Sequence, residues 1–246
     1  DKEKKKEFSK AVQESYDKAN DLVLVFEKAC KGIKALNSTT LTPGHPIKVM
    51  LAPKAESIEN GLERAGKPAA FEYKYDGFRM LINKNDQGDN RIFTRRLDDV
   101  TNQFPDVVKY IKEHIKAKSF IIDSEAIGFD PKTKKYKPFE AVSQRIKRKH
   151  NIAEMAKKFP VELNVFDVLE YNGKNMLQVG FGERRKIVKK VIKSAAYKIV
   201  PAKQIITSDI KEAMKFYREA LSKGLEGVMV KSETAAYKPG SRVGYG

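Results

Sequence analysis

From residue 68 onward the chain is built of short β-type runs: AAFEYKY, FRMLIN, RIFTR, SFIIDSEAIGF, VELNVFDVLEY, QIIT and EGVMVK. Each is rich in aliphatic, β-branched or aromatic residues and short enough to be a strand. Helical patterns lie between some of them. PDVVKYIKEHIK carries Val107, Val108, Ile111 and Ile115 at helical spacing, and GERRKIVKKVIK and DIKEAMKFYREALSKG follow later. The last opens on Asp209 and Glu212 and closes at Gly224, which are start and stop signals. Strands and helices mix without strict βαβ alternation, so the pattern predicts an α+β fold of antiparallel β-sheets flanked by helices.

Ahead of this body, residues 1–36 have helical spacing and no proline and predict a short helical lead-in. The segment LNSTTLTPGHPIKVMLAPKA, 36–55, reads as an extended linker. Ser57 is placed to cap a short helix running to Gly66. The domain reading is 1–50 as the tail of a helical domain plus linker, and 51–246 as the main domain. The first residue is Asp1, not methionine, which fits a piece of a longer chain. No apolar run approaches the ~20 residues of a membrane span, so no membrane partner is expected. One cysteine, Cys30, excludes an internal disulfide and fits a reducing compartment. His45, His114 and His150 lie far apart, and no Cys/His metal spacing exists.

The net charge of +17 favours a polyanionic partner, a nucleic acid or a nucleotide. The excess is uneven: residues 101–200 hold 22 basic against 11 acidic residues, and residues 51–100 hold 9 of each. Phosphate contacts are therefore expected in the basic half, although any single lysine there reads better as a solvated surface residue.

The stretch FEYKYDGFRM, 71–80, carries chemistry. A lysine is a nucleophile only when neutral, and an ordinary one titrates near ~10.4. Partial burial and neighbouring cations lower that value. Lys74 sits among Phe71, Tyr73, Tyr75 and Phe78 and close to Arg79, with Gly77 permitting a tight turn. By itself K-x-D-G is a weak signal, and a surface hairpin that happens to hold a lysine accounts for it as well.

KYDGFR resembles the adenylation motif of ATP-dependent DNA ligases, within the wider lysine nucleotidyltransferases that include RNA ligases and mRNA capping enzymes. The likeness continues in order along the chain through IFTRRLDDVTNQFPD, FIIDSEAIGFD, VFDVLEYNG, EGVMVK and YKPGSR. TLTPGHPIKVMLA resembles the ligase segment just ahead of the catalytic domain, and PFEAVSQRIKRK resembles a stretch of the archaeal and eukaryotic replicative-type ligases. The resemblance covers nearly the whole chain and implies the nucleotidyltransferase (ATP-grasp-like) adenylation fold, ATP and Mg²⁺ as cofactors, and nicked double-stranded DNA as partner.

The resemblance also implies roles. Lys74 would attack the α-phosphate of ATP and carry AMP. Glu72 would accept from the adenine amino group, or serve as a cross-strand partner for a lysine. Arg79 and Glu125 suit the ribose hydroxyls. Arg95 would lie near the phosphate or ribose, with Arg96 as the alternative by a one-residue slip. Phe166 would stack on the base, although a core position is the usual fate of such a phenylalanine. Glu125 and Glu226 would hold the metal, or Glu226 would sit in a salt bridge. Lys231 would point at the α-phosphate, and Arg242 at the nucleotide from the far side. Asp76 reads as a brace for the turn.

Two departures stand out. The aromatic-x-Lys-x-Lys continuation after YKPGSR is replaced by an ending in GYG, and the OB-fold domain of the family does not follow. GFGERR, 180–185, also differs from the usual start of that helix and is given no role. The expectation is a monomeric ligase core, cytoplasmic in a prokaryotic-type cell or nuclear in a eukaryote, with a sliding clamp reached through a preceding region. The alternatives are an RNA ligase, a capping guanylyltransferase, or a fragment that only binds nicked DNA.

Overall fold

The computed structural model describes residues 2–244. The lead-in is three helices: α1 (Lys2–Ala19), α2 (Leu22–Cys30) and α3 (Ile33–Asn37). Asn20, in the left-handed region at φ 47°, ends the first, and Asp21 caps the second by accepting from the Leu24 N–H at 3.0 Å. Gly32, at φ 95°, separates the second from the third. Ala11, Ala19, Val25 and Leu36 form their shared core.

The body follows as α4 (Ile58–Ala65), β1 (Ala69–Lys74), β2 (Phe78–Lys84), β3 (Asn90–Thr94), α5 (Pro105–His114), β4 (Phe120–Phe129) and β5 (Tyr136–Lys137). Then come α6 (Phe139–Ser143), α7 (Ile152–Lys158), β6 (Val161–Tyr171), β7 (Lys174–Asn175) and α8 (Phe181–Val191). β8 (Ile199–Pro201), β9 (Gln204–Thr207), α9 (Ile210–Ser222) and β10 (Gly227–Ser232) complete it. The seven long β-type runs are all strands. Those the sequence did not mark, β5, β7, β8, α6 and α7, are two to seven residues long, too short for periodicity to speak. Caps behave as the residue types require: the Ser57 hydroxyl accepts from Asn60 N–H at 3.1 Å, and Asp209 accepts from Lys211 N–H at 2.7 Å.

Two sheets result. The small one has the order β10-β1-β9, and the large one β3-β2-β4-β6-β7, with β5 paired to β4 and β8 to β6. The named strand pairings are antiparallel except β6 with β8, which is parallel. Period-2 alternation decides what each face does. Phe71 and Tyr73 turn toward α4 and α9, where they meet Leu62, Ala213 and Phe216, and the Tyr73 ring stacks on Phe216 at 4.7 Å. Glu72 and Lys74 face the other way. β2 is covered on both sides: Met80 and Ile82 join Phe104, Ile111 and Val188, while Leu81 joins Ile47, Leu169 and Tyr237. The linker and the C-terminal segment thus share one core.

The β4–β6 ladder breaks register between Asp123 and Ser124, whose partners are Asp167 and Val165. Phe166 is the extra residue on β6. Such a bulge re-aims a side chain. Val161, Leu163 and Val165 point into the main core, and Phe166 points out of it toward the small sheet.

Candidate active site

A cleft of about 930 Å³ is lined from both sheets. Lys74, Glu72, Met229 and Lys231 enter from the small sheet. Across the β1–β10 pair Lys74 lies opposite Gly227, Glu72 opposite Met229 and Ala70 opposite Lys231. Residues directly opposite share a face, so this register alone gathers Glu72, Lys74 and Lys231. Arg79, Glu125 and Phe166 enter from the large sheet and Arg95 and Arg96 from the loop after β3, while Glu226 comes from the turn just ahead of β10 in the small sheet.

Gly77 is needed for a reason other than turn flexibility. A Cβ there would run into the Ala126 carbonyl of β4, so glycine lets the 75–77 turn lie against the strand that carries Glu125.

Lys74 is half-exposed and ion-paired with Glu226, whose backbone N–H also donates to the Lys74 carbonyl at 3.0 Å. Burial lowers the Lys74 pKa, and the Glu125 and Asp76 carboxylates work against it. The arginine expected to help is turned elsewhere. Arg79 is held by Asp123 through Nε at 2.8 Å and Nη2 at 2.5 Å, by the Met50 carbonyl at 2.7 Å and by the Tyr237 hydroxyl at 3.3 Å. Four of its five N–H groups are engaged, which leaves at most one for a ribose. Burial opposes the Arg79 cation, but Asp123 outweighs it and its pKa is raised.

Glu125 lies opposite Arg79 in the β2–β4 register. Burial pushes its carboxyl up to about 8, with Asp123 and Asp76 adding and Arg79 and Lys74 opposing. Glu72 is 1% exposed, and three groups surround it: Lys231 Nζ at 2.6 Å, Gln204 Nε2 at 3.2 Å and Arg185 Nε at 3.1 Å. Lys231 therefore sits on Glu72, where the sequence placed it toward a phosphate. The Phe166 ring has Lys231 Nζ 4.4 Å and Arg79 Cζ 5.4 Å from its centroid. Arg95 and Arg96 are both exposed and both line the cleft, so the one-residue alternative stands.

Arg242 departs from the expectation. It is exposed and does not line the cleft. Its neighbours Ser241 and Val243 hydrogen-bond the backbone of Leu51, and this pins the C-terminal segment to the linker. Tyr245 and Gly246, part of the GYG ending, lie outside the described residues.

The sequence reading missed the charges that hold the cleft together. Asp123 is fully buried under Arg79 and Tyr237. Asp167 takes a two-pronged contact from Arg184, at 2.7 and 2.9 Å. Arg184 and Arg185, in the GFGERR start given no role, are 1% and 2% exposed. A charge inside an apolar run is the signal that could have found them. FIIDSEAIGF and VFDV each bury an acid, and a buried acid needs a cationic partner.

Among the described residues no group of three His, Cys, Asp or Glu side chains forms a ready-made metal cage. Magnesium does not need one, because one or two carboxylates plus phosphate oxygens suffice. Glu125 and Glu226 both line the cleft, and a buried carboxyl with a raised pKa is one that a cation would ionise.

The family described as "ATP dependent DNA ligase domain" matches residues 49–245. The DNA ligase of Nanoarchaeum equitans is 45% identical over 216 residues, covering 87% of this chain and 38% of the relative. DNA ligase 2 of Methanosarcina acetivorans is 38% identical over 238 residues, covering 95% of this chain and 41% of the relative. The chain thus spans well under half the length of the curated relatives it matches. A mycobacterial DNA ligase D solved with ATP shares the fold at TM-score 0.58 and 23% identity, over 80% of this chain and 58% of that one. The Chlorella virus DNA ligase-adenylate does so at TM-score 0.56 and 20% identity, over 80% and 64%. With a lysine at the end of a cleft-facing strand and a family match over residues 49–245, the chain belongs to the ATP-dependent DNA ligase domain family.

Proposed function

We propose that this chain is the adenylation core of a longer DNA ligase and that Lys74 carries the AMP. The observation that supports it is the placement of Lys74: half-buried, lowered in pKa, and on the same strand face as Glu72, with Phe166 across the cleft. Neutral Nζ attacks the α-phosphorus of ATP. The P–N bond forms as the bond from that phosphorus to its bridging oxygen breaks, and pyrophosphate leaves. AMP then passes to the 5′-phosphate of a nick in duplex DNA, and the 3′-hydroxyl displaces it to seal the strand.

Glu72 reads the adenine amino group as an acceptor, a group guanine replaces with a carbonyl, and Phe166 gives the base an apolar face. Arg79 has little capacity left for direct contact, so its part is to hold the floor of the cleft. Arg95 or Arg96 supplies charge at the phosphate side. Glu125 and Glu226 would hold Mg²⁺, which when bound supplies positive charge to the phosphates.

The test is intact mass with peptide mapping on the full-length protein that carries this chain, incubated with ATP and Mg²⁺. The expected result is a gain of one AMP on Lys74 and none in Lys74→Ala. AMP mapped to Lys231 or Lys84 would refute the assignment.

A further inference from the structure

A carboxylate as buried as Glu72 reads a base only if something fixes which way its oxygens face, because burial without fixed partners favours rotation or neutralisation. Two of its three neighbours are poor at this. Lys231 ends in a rotatable ammonium that also sits over the Phe166 and Phe181 rings, at 4.4 and 4.7 Å. Gln204 lies on the terminal strand β9 of the small sheet and reaches Glu72 Oε1 at 3.2 Å.

Arg185 is different. It rises from α8 with both terminal nitrogens tied to backbone. Nη1 donates to the Val165 carbonyl of β6 at 2.6 Å, and Nη2 to the Ala202 carbonyl just ahead of β9. A planar fork fixed at two carbonyls has no freedom left. Its Nε then lies 3.1 Å from Glu72 Oε1 without meeting hydrogen-bond alignment, and it has no other partner. The contact is chiefly one of charge, delivered from a rigid mount. Val165 also immediately precedes Phe166 on the bulge. The same guanidinium therefore fixes the acid that reads the base edge and the backbone beside the ring that stacks on its face.

We infer that Arg185 is the positioning residue for base selection: it orients Glu72 and ties it to the Phe166 bulge without touching the nucleotide itself. This rests on the base-reading role given to Glu72 above. It also assigns a task to the GFGERR segment.

The test is equilibrium binding of AMP and of IMP by the 246-residue chain, measured by calorimetry with a thermal melt of every variant. IMP carries a carbonyl where AMP carries the amino group, so the ratio of the two affinities isolates the base edge. Glu72→Gln and Arg185→Met are each expected to lower the AMP-over-IMP preference by about tenfold, the scale of one charge-assisted hydrogen bond. The double variant should lose no more than Glu72→Gln alone, because Arg185 acts through Glu72. A merely structural arginine would instead weaken both nucleotides equally and leave the ratio unchanged. Should Arg185→Met fail to melt cooperatively, Arg185→Lys gives the same readout, because a lysine cannot hold two carbonyls in a fork. If Glu72→Gln keeps the wild-type preference, the base-reading role fails and the inference with it. If Glu72→Gln loses the preference and the folded Arg185 variants keep it, the inference alone is overturned.

Discussion

Asp123→Asn is the sharpest test of how this cleft is held. Asp123 is fully buried and accepts from Arg79 Nε at 2.8 Å, Arg79 Nη2 at 2.5 Å and the Tyr237 hydroxyl at 2.9 Å. The amide keeps the shape but offers one acceptor oxygen in place of two, and it turns an N–H₂ toward a cation. Arg79 is then buried without a counter-charge. Breaking one side of a buried ion pair costs about 3–5 kcal/mol. Domain stabilities are themselves about 5–15 kcal/mol, so the loss should be large in a urea melt. The geometry predicts more than a loss of stability. The Tyr237 hydroxyl also accepts from the Met50 N–H at 3.0 Å, and Arg79 donates to the Met50 carbonyl. Asp123→Asn should therefore loosen the linker and the C-terminal segment together, raising hydrogen exchange at Met50, Leu51 and Val243 before the sheet opens. Arg79→Met combined with Asp123→Leu removes both charges and should recover most of the stability. A single Asp123→Asn within 1 kcal/mol of the parent would show that this node does not carry the cleft.

Gly77→Ala should cost about 1–3 kcal/mol in a urea melt and slow adenylation, since the turn must move off the Ala126 carbonyl; an unchanged melt would mean the turn yields freely. The rate of lysyl-AMP formation should rise with pH and level off below the ordinary lysine value of ~10.4, because burial makes the neutral amine available at lower pH; a log-linear climb through that value would rule out a lowered Lys74. Lys147, Arg148 and Lys149 are exposed, and Lys147 lines the cleft. Replacing all three by alanine should lower the salt slope of duplex DNA binding by up to about 3 with no change in melting, and an unchanged slope would place the DNA elsewhere.

The amino-acid order determined everything that local sterics and period can decide. The seven long strand runs, the Ser57 and Asp209 caps and the α5, α8 and α9 patterns all lie within a few residues of their own cause. Period 2 alone puts Glu72 and Lys74 on one face. What sequence could not supply is what depends on partners far along the chain. β1 pairs with β10, some 160 residues later, and that register brings Lys231 onto Glu72. The β6 bulge turns Phe166 out of the core because β4 fits one residue where β6 has two. GFGERR carries no role that the sequence shows, yet Arg184 and Arg185 are buried, because Asp167, Glu72 and four strand and loop carbonyls converge on them only when the two sheets meet. Arg79 looked free for a ribose because its real partner, Asp123, sits 44 residues away on β4. Local structure is set by the backbone's own allowed shapes. The fate of a charge is set by whichever opposite charge the fold brings within 3 Å, and that is decided by tertiary packing alone.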